Sequence, residues 1–371
     1  MSELSTITIK GFKSILSIEN LKLSAINVIV GPNGSGKSNF IGVFAFLNAI
    51  QTGRLQEYVI KAGGAEKILY FGSKVTEKLY IKISFENDLN QYEITLVPTN
   101  ADELVPTEER VYYWDKRAHK NPYSESLTMF GKEAGISNPA FTKVSQHVKE
   151  RLKRWRLYHF HDTSANSPMK KTSDINDNHY LRPDGSNLAS FLYFLRQSYP
   201  DSYNLITRIT QIVAPFFNSF QLEPQKLNPD KIRLEWCHKT VDTYFDSSSL
   251  SDGTLRFIAL ATLFLQPEKF KPSIILVDEP ELGLHPYAIN ILASLVKQAA
   301  VKTQVILSTQ SPLLLDKFQP EDVLIADSIS GQGTQINKLD SEKLSEWLSN
   351  YSLGQLWEKN EIGGRPRGSI S

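Results

Sequence analysis

A short glycine-rich segment constrains the fold of this chain more than any other part of its sequence. The segment follows the apolar run at residues 26–30, has the spacing G-x-x-x-x-G-K-[ST], and precedes an apolar stretch at residues 39–50. A strand, a glycine loop and a helix in this order point backbone N–H groups at a phosphate, at the positive end of the helix. The sequence therefore predicts a phosphate-binding loop formed by Gly31, Pro32, Asn33, Gly34, Ser35, Gly36, Lys37, Ser38 and Asn39.

Two carboxylates at the end of another apolar run supply a second part of the predicted site. Residues 274–277 are apolar and lead directly into Asp278 and Glu279. For phosphoryl transfer we expect Lys37 to reach the β/γ-phosphates and Ser38 to bind Mg²⁺. Asp278 is expected to contact the groups that bind this ion directly. Glu279 is predicted to orient or deprotonate the attacking water. A turn with two solvated acids is the alternative, which the presence of the glycine loop disfavours.

The order of strands and helices predicts an α/β fold with a mixed or mostly parallel sheet. We divide the 371 residues into an N-terminal lobe at 1–98 that carries the glycine loop, an insertion or lid at 99–246, and a C-terminal lobe at 247–371. The insertion is predicted to be partly helical, at residues 144–158, 187–197 and 203–214.

Composition excludes several classes of protein. Forty-one basic and forty acidic residues give a net charge of +1, so nucleic acid binding would need a local patch of charge. The sequence has a single cysteine, Cys237, which excludes an intrachain disulfide framework. The apolar run at residues 257–265 is about half the length of a bilayer span, and the N-terminus has no secretory leader pattern. We therefore expect a cytoplasmic protein with no membrane partner.

Six short motifs occur in a fixed order along the chain. They are Lys-Gly-Phe-Lys-Ser at residues 10–14, the glycine loop, Ser-Leu-Ser-Asp-Gly-Thr at 249–254, Asp-Glu-Pro-Glu at 278–281, Gly-Leu-His-Pro at 283–286 and Ser-Thr-Gln-Ser-Pro at 308–312. In these motifs the chain resembles the ABC-type ATPases of the RecF, SMC and OLD group, which include AAA-family ATPases of bacterial repair and anti-phage defence operons. The resemblance covers residues 7–97 and 247–325 and is much weaker between them.

The resemblance implies a P-loop ATPase head that uses ATP and Mg²⁺. In that family two heads enclose the nucleotide between them. Residues 249–254 correspond to the signature motif of the family, so Ser251 and Gly253 would contact the γ-phosphate bound to a partner head. This arrangement implies a homodimer or a higher homo-oligomer. Ser251 also fits an ordinary helix N-cap, and both roles are compatible.

The sequence departs from the family pattern at two positions. Asp252 stands where transporters usually carry glycine. Residues 308–312 correspond to the switch motif of the family, and they have Gln310 in place of histidine. A glutamine can hydrogen-bond to the γ-phosphate or the water, but it cannot accept a proton. The predicted catalytic residues are therefore Lys37, Gln310 and Glu279, with Glu279 as the base.

Three features remain open. The Q-loop of the family matches either residues 63–67 or Gln56, with no preference. Lys149, Arg151, Lys153, Arg154 and Arg156, interleaved with Trp155 and Tyr158, could form a helix that tracks DNA, but a solvated face with inward aromatic rings is favoured. His159, His161 and Asp162 could bind a metal ion, but a solvated surface is again favoured.

Three functions are compatible with these observations. The first is an ATPase that couples its nucleotide state to DNA binding in repair or phage defence. The second is a regulatory ATPase that controls a separately encoded effector protein, for example a nuclease, because only about sixty residues follow Pro312 and they leave little room for a nuclease domain. A transporter motor subunit is the least favoured, because the signature and switch motifs depart from that type.

Overall fold

The structure is a computed structural model that describes residues 3–138, 142–329 and 331–363. Its strands are β1 (Leu4–Phe12), β2 (Ile15–Lys22), β3 (Ile26–Val30), β4 (Leu79–Phe85), β5 (Asn90–Pro98), β6 (Leu104–Tyr113), β7 (Tyr123–Ser126), β8 (Trp155–Tyr158), β9 (Ser173–Asp174), β10 (Phe217–Gln221), β11 (Lys231–Ile232), β12 (Glu235–His238), β13 (Tyr244–Asp246), β14 (Ile274–Asp278), β15 (Gln304–Thr309), β16 (Val323–Ile329) and β17 (Gly333–Lys338). Its α-helices are α1 (Lys37–Gln51), α2 (Leu55–Ala62), α3 (Ala65–Ile68), α4 (Lys143–Lys153), α5 (Leu188–Ser198), α6 (Pro200–Val213), α7 (Asp252–Leu265), α8 (Pro286–Ala299), α9 (Pro312–Leu315), α10 (Ser341–Leu348) and α11 (Leu353–Glu358).

Within the described residues, one sheet of twelve strands organises the molecule. Its order is β7-β6-β5-β4-β1-β2-β17-β16-β3-β15-β14-β8. The neighbours from β16 through β3, β15 and β14 to β8 pair in parallel, whereas the other neighbours pair antiparallel. The predicted α/β fold with a mixed sheet is confirmed, and its parallel part carries both strands that precede the predicted site.

The parallel strands are apolar because both of their faces are covered. Successive residues of β14 alternate between two cores, with Ile274 and Leu276 in one and Ile275 and Val277 in the other. Helices α1 and α4 contribute to the first core, and α5, α6, α7 and α8 contribute to the second. The ends of β3 and β14 are thereby held between two layers of helix.

The prediction of one helix over residues 144–158 is wrong. Helix α4 ends at Lys153, and β8 then pairs in parallel with β14 at the edge of the sheet. Trp155 and Tyr158 are three residues apart, a spacing that puts both on one face of a helix. In a strand the same spacing puts them on opposite faces. Trp155 fills the core beside α1, and Tyr158 fills the core beside α7.

The middle segment, residues 99–246, contributes to the main sheet as well as to the helical layer. Strands β6, β7 and β8 come from this segment, and helix α6 packs against α7. The three-part division of the chain remains a prediction. None of the helices in the described ranges combines the length and apolar character that crossing a membrane requires.

A buried glutamine joins the start of the chain to the parallel strands. Gln304, the first residue of β15, is 3% exposed. Its Oε1 accepts a hydrogen bond from Leu4 N at 2.8 Å, and its Nε2 donates to Leu4 O at 2.9 Å and to Ser24 O at 2.8 Å. These bonds satisfy backbone groups of β1 and of the turn before β3.

We predict that Gln304→Ala lowers the free energy of unfolding by about 2 kcal/mol, because it leaves buried backbone groups of Leu4 and Ser24 without partners. Urea unfolding monitored by circular dichroism measures the change. The exposed Gln332 provides a matched control, and Gln332→Ala is expected to change the free energy by less than about 0.5 kcal/mol. Equal unfolding midpoints for the two variants would contradict the prediction.

Candidate nucleotide-binding site

The glycine loop turns tightly between β3 and α1. Gly34 and Gly36 have φ angles of 79° and 95°, in the left-handed region that favours glycine. A Cβ atom at Gly36 would lie 2.0 Å from Thr334 Oγ1, and one at Gly31 would lie 2.3 Å from Ala326 O. Neighbouring strands β16 and β17 therefore leave no room for a side chain at either position. No side chain caps the N-terminus of α1, so its free N–H groups face the loop, as an anion site requires.

Lys37 folds back over the glycine loop. Its side chain is 5% exposed, and its Nζ donates to Gly31 O at 2.7 Å and to Pro32 O at 3.0 Å. Burial lowers the pKa of Lys37, while the carboxylates of Glu279, Asp278 and Glu281 oppose that shift. The ammonium group thus lies within the electrostatic reach of the acidic segment.

Ser38 and Asp278, 240 positions apart in the sequence, meet directly. Ser38 Oγ donates to Asp278 Oδ2 at 3.1 Å, and Ser308 Oγ donates to Asp278 Oδ1. Asp278 pairs with Ser308 in the parallel register of β14 and β15. Mg²⁺ is commonly held by one or two carboxylates together with phosphate oxygens and water. A hydroxyl group beside a carboxylate, where the glycine loop enters α1, suits this ion. Ser38 and Asp278 would hold it.

Glu279 occupies an unusual backbone position. Its φ angle is 41°, in a region that costs energy for a residue with a side chain and is found most often at functional sites. Its N–H donates to Ser308 O at 3.0 Å, and Gln310 Nε2 donates to its Oε1. The predicted base and the predicted switch residue are therefore in contact.

Glu281 is a member of the site to which sequence reasoning gave no role. It is 7% exposed, and burial raises the pKa of its carboxyl group. Its Oε1 accepts hydrogen bonds from Thr309 Oγ1 at 2.5 Å and from Gln310 N at 3.1 Å. Glu281 thereby fixes the switch segment next to Glu279. In the sequence, Glu281 is the third acid of the Asp-Glu-Pro-Glu run. The spacing of that run does not show in which direction its side chain points.

The signature motif lies at the start of α7. Ser251 is the N-cap and accepts a hydrogen bond from Thr254 N at 3.2 Å. A Cβ at Gly253 would lie 2.2 Å from Gly283 O, so the signature packs directly on the loop that follows the acidic segment. Among the described residues, no hydrogen bond links Ser251 or Gly253 to the glycine loop of the same chain. Their contact with a partner's nucleotide remains a prediction.

Arg256 connects three segments near the signature. Its side chain is buried, and burial lowers its pKa. Its Nη1 donates to Leu282 O, its Nε to Phe160 O at 2.9 Å and its Nη2 to His161 O at 3.0 Å. A shift of α7 would therefore act on the loop after Glu281 and on the segment after β8.

The two Q-loop candidates lie outside this set of contacts. Gln56 donates to Leu104 O and Lys132 O, and residue Ala65 donates its N–H to Asp102 O. His159 follows directly after β8, one position beyond the pair Tyr158 and Val277, within electrostatic reach of Asp278. Desolvation lowers the pKa of His159, and the Asp278 carboxylate opposes the shift. Sequence reasoning had considered His159 only as a metal ligand.

The structure does not support a metal site at His159 or a continuous basic helix. Across the described ranges, no three His, Cys, Asp or Glu side chains are placed to hold a metal ion. Arg151 pairs with Glu3 and Glu86, whereas Arg156 lies over the ring of Tyr180 at 5.2 Å. Arg151 is therefore engaged by carboxylates, whereas Lys153, Arg154 and Arg156 line one pocket together with Lys269 and Lys271.

Two known proteins share local sequence similarity with this chain. The chromosome partition protein Smc of Mycobacterium leprae is 31% identical over 123 residues, which are 33% of this chain and 9% of that protein. The Old nuclease of Escherichia phage P2 is 34% identical over 116 residues, which are 29% of this chain and 20% of that protein. The chain thus matches only a small part of the length of these relatives.

The fold has a counterpart among solved structures. The crystal structure of the SmcHead bound to the C-winged helix domain of ScpA aligns with a TM-score of 0.59 and 18% identity, covering 92% of this chain and 99% of that one. The family model described as "AAA domain, putative AbiEii toxin, Type IV TA system" matches residues 26–316. Since that model spans most of the sequence, the chain belongs to this AAA-domain family, within the RecF, SMC and OLD-like group of ATPases.

Proposed function

We propose that this chain is an ATP-hydrolysing head that dimerises around Mg-ATP and couples its nucleotide state to DNA binding in repair or phage defence. The observation that carries the proposal is the hydrogen bond from Ser38 to Asp278, because it brings the glycine loop and the acidic strand end into one site. Family membership and the SMC-head fold support ATP binding and head dimerisation.

Each side chain has a distinct role in the proposed reaction. Lys37 binds the β/γ-phosphates, and Ser38 and Asp278 would hold a Mg²⁺ ion that would neutralise phosphate charge. Glu279 accepts the proton of the attacking water, and Gln310 holds the Glu279 carboxylate in position. Glu281 fixes Gln310 through its backbone N–H.

The proposed dimer places Ser251 and Gly253 of one head against the γ-phosphate bound to the other. Gly253 packs on Gly283 within its own chain, and Arg256 holds the same loop through Leu282. Occupation of the signature by a partner's nucleotide is thereby linked to the loop beyond Glu279. In this proposal ATP acts as a conformational signal as well as a substrate.

We predict that Glu279→Gln reduces ATP hydrolysis at least about 100-fold, because a glutamine cannot accept the proton, and that it traps ATP in a stable dimer. Lys37→Ala is expected to abolish both ATP binding and dimerisation. Single-turnover hydrolysis and filter binding with radiolabelled ATP measure these effects, with the exposed Glu342→Gln and Lys302→Ala as controls. A hydrolysis rate like that of the wild type in Glu279→Gln would refute the assignment of the base.

We predict that Gln310→Ala lowers kcat about tenfold or more while the affinity for ATP stays within a factor of two. The amide of Gln310 contacts Glu279, and loss of that contact leaves the base poorly oriented. Steady-state kinetics together with equilibrium binding separate the two effects, and Gln332→Ala is the control. An unchanged kcat would show that Gln310 does not position Glu279.

Whether the partner is DNA or a protein is tested with the Glu279→Gln variant. Size-exclusion chromatography with light scattering is run with and without Mg-ATP and a short DNA duplex. We expect an ATP-dependent dimer that retains DNA, and its retention should weaken as salt rises. A dimer that is indifferent to DNA would instead favour control of a separately encoded effector protein. The ion pairs of Arg151 with Glu3 and Glu86, which neutralise one cation of residues 149–156, are the observation that favours this second function.

A further inference from the structure

An exposed phenylalanine is held in a strained conformation in the turn that follows α3. Phe71 has a φ angle of 53°, which is a true outlier for a bulky residue. Its side chain is 76% exposed, so burial of its own ring in the core does not account for the conformation. Strained residues of this kind persist where the surrounding structure enforces them, commonly at ligand sites.

The turn that carries Phe71 is rigidly attached to the rest of the N-terminal lobe. Tyr70 N donates to Gly11 O at 3.1 Å, and Thr76 Oγ1 donates to Tyr70 O at 2.5 Å. Tyr70 is buried, and its ring meets that of Phe71 edge to face with 4.6 Å between the ring centroids. The ring of Phe71 is thus fixed from one side and open on the other.

Phe71 lines an open cavity of about 600 Å³. Asn39, the residue after Ser38, lines the same cavity, as do Lys13, Ala62, Glu66 and Lys67. Asn39 Nδ2 donates to Ser14 Oγ at 2.7 Å, which fastens the turn between β1 and β2 to the start of α1. The volume lies in the range of about 300–1,000 Å³ that is typical of small-molecule sites.

The charges in this cavity suit a nucleotide. Burial lowers the pKa of Lys13, and no hydrogen bond or ion pair of its ammonium group is present among the described side chains. The carboxylate of Glu66 is engaged by Ser73, whose N–H donates to it at 3.1 Å. The cavity therefore presents a cation without an ion pair and an exposed aromatic ring.

From these observations we infer that Phe71 is the stacking platform for the base of a purine nucleoside triphosphate bound at the glycine loop. The inference rests on the proposed nucleotide site. A triphosphate held by residues 31–38 must direct its ribose and base away from the loop, and the cavity beyond Asn39 offers an aromatic surface for the base. Stacking on an exposed aromatic ring tolerates any base but gains most from the larger purines.

The test compares ATP with inorganic tripolyphosphate, which has the phosphates but no base, by isothermal titration calorimetry in the presence of Mg²⁺. Phe71→Ala should weaken ATP binding about tenfold, the usual effect of removing one base-stacking aromatic ring, and leave tripolyphosphate binding unchanged. Phe71→Trp should retain ATP affinity, and its added tryptophan fluorescence should respond to ATP but not to tripolyphosphate. Val75→Ala, which truncates an exposed residue of the same turn, is the matched control and should bind both ligands like the wild type.

Several outcomes would overturn the inference. ATP affinity in Phe71→Ala equal to that of the wild type would remove the stacking role. Equal losses for ATP and tripolyphosphate would indicate a general disturbance of the site, and loss of dimerisation with intact ATP affinity would assign Phe71 to a contact between heads. If the wild type binds neither ligand, the proposed nucleotide site fails and the inference fails with it, a result distinct from failure of Phe71 alone.

Discussion

The structure depends on the parallel pairing of β14 with β15, which sets Asp278 beside Ser308. This register turns the side chain of Asp278 toward Ser38 at the start of α1 and directs the chain into Glu279. Both strands are buried on two faces, so a shift by one residue would exchange the two apolar sets and move the carboxylate to the wrong face. Hydrophobic packing of the sheet and placement of the acidic group are consequences of the same register.

Close backbone packing connects this site to the signature motif. Gly253 lies against Gly283 with no space for a Cβ, and Arg256 holds Leu282, Phe160 and His161 through their carbonyl groups. Packed interfaces of this kind change between discrete arrangements and do not deform gradually. A partner's nucleotide at α7 could therefore bias the segment that carries Glu279, which is the coupling that the proposed dimer needs.

Much of the fold and of the candidate site could be predicted because they depend on local patterns. The glycine loop, the apolar strand before Asp278, and the helices α1, α7 and α8 are each specified by a contiguous stretch. The predictions failed where one pattern fits two structures. Trp155 and Tyr158 satisfy a helical spacing and a strand spacing equally, and only pairing with β14 decides between them. The Q-loop stays open for a related reason, because the residues near Asp278 are set by the neighbours of β14 in the sheet and not by distance along the chain.

The sequence by itself determined the glycine loop at residues 31–38 and the apolar strand that leads into Asp278 and Glu279, because glycine spacing and strand hydrophobicity act over a few residues. Tertiary structure decided which other side chains join the site. Glu281 reaches Thr309 and Gln310, and Phe71 faces the cavity beyond Asn39, through contacts between segments that are far apart in the chain. Such contacts depend on the three-dimensional register of strands and turns, which a pattern of residues in one segment does not contain.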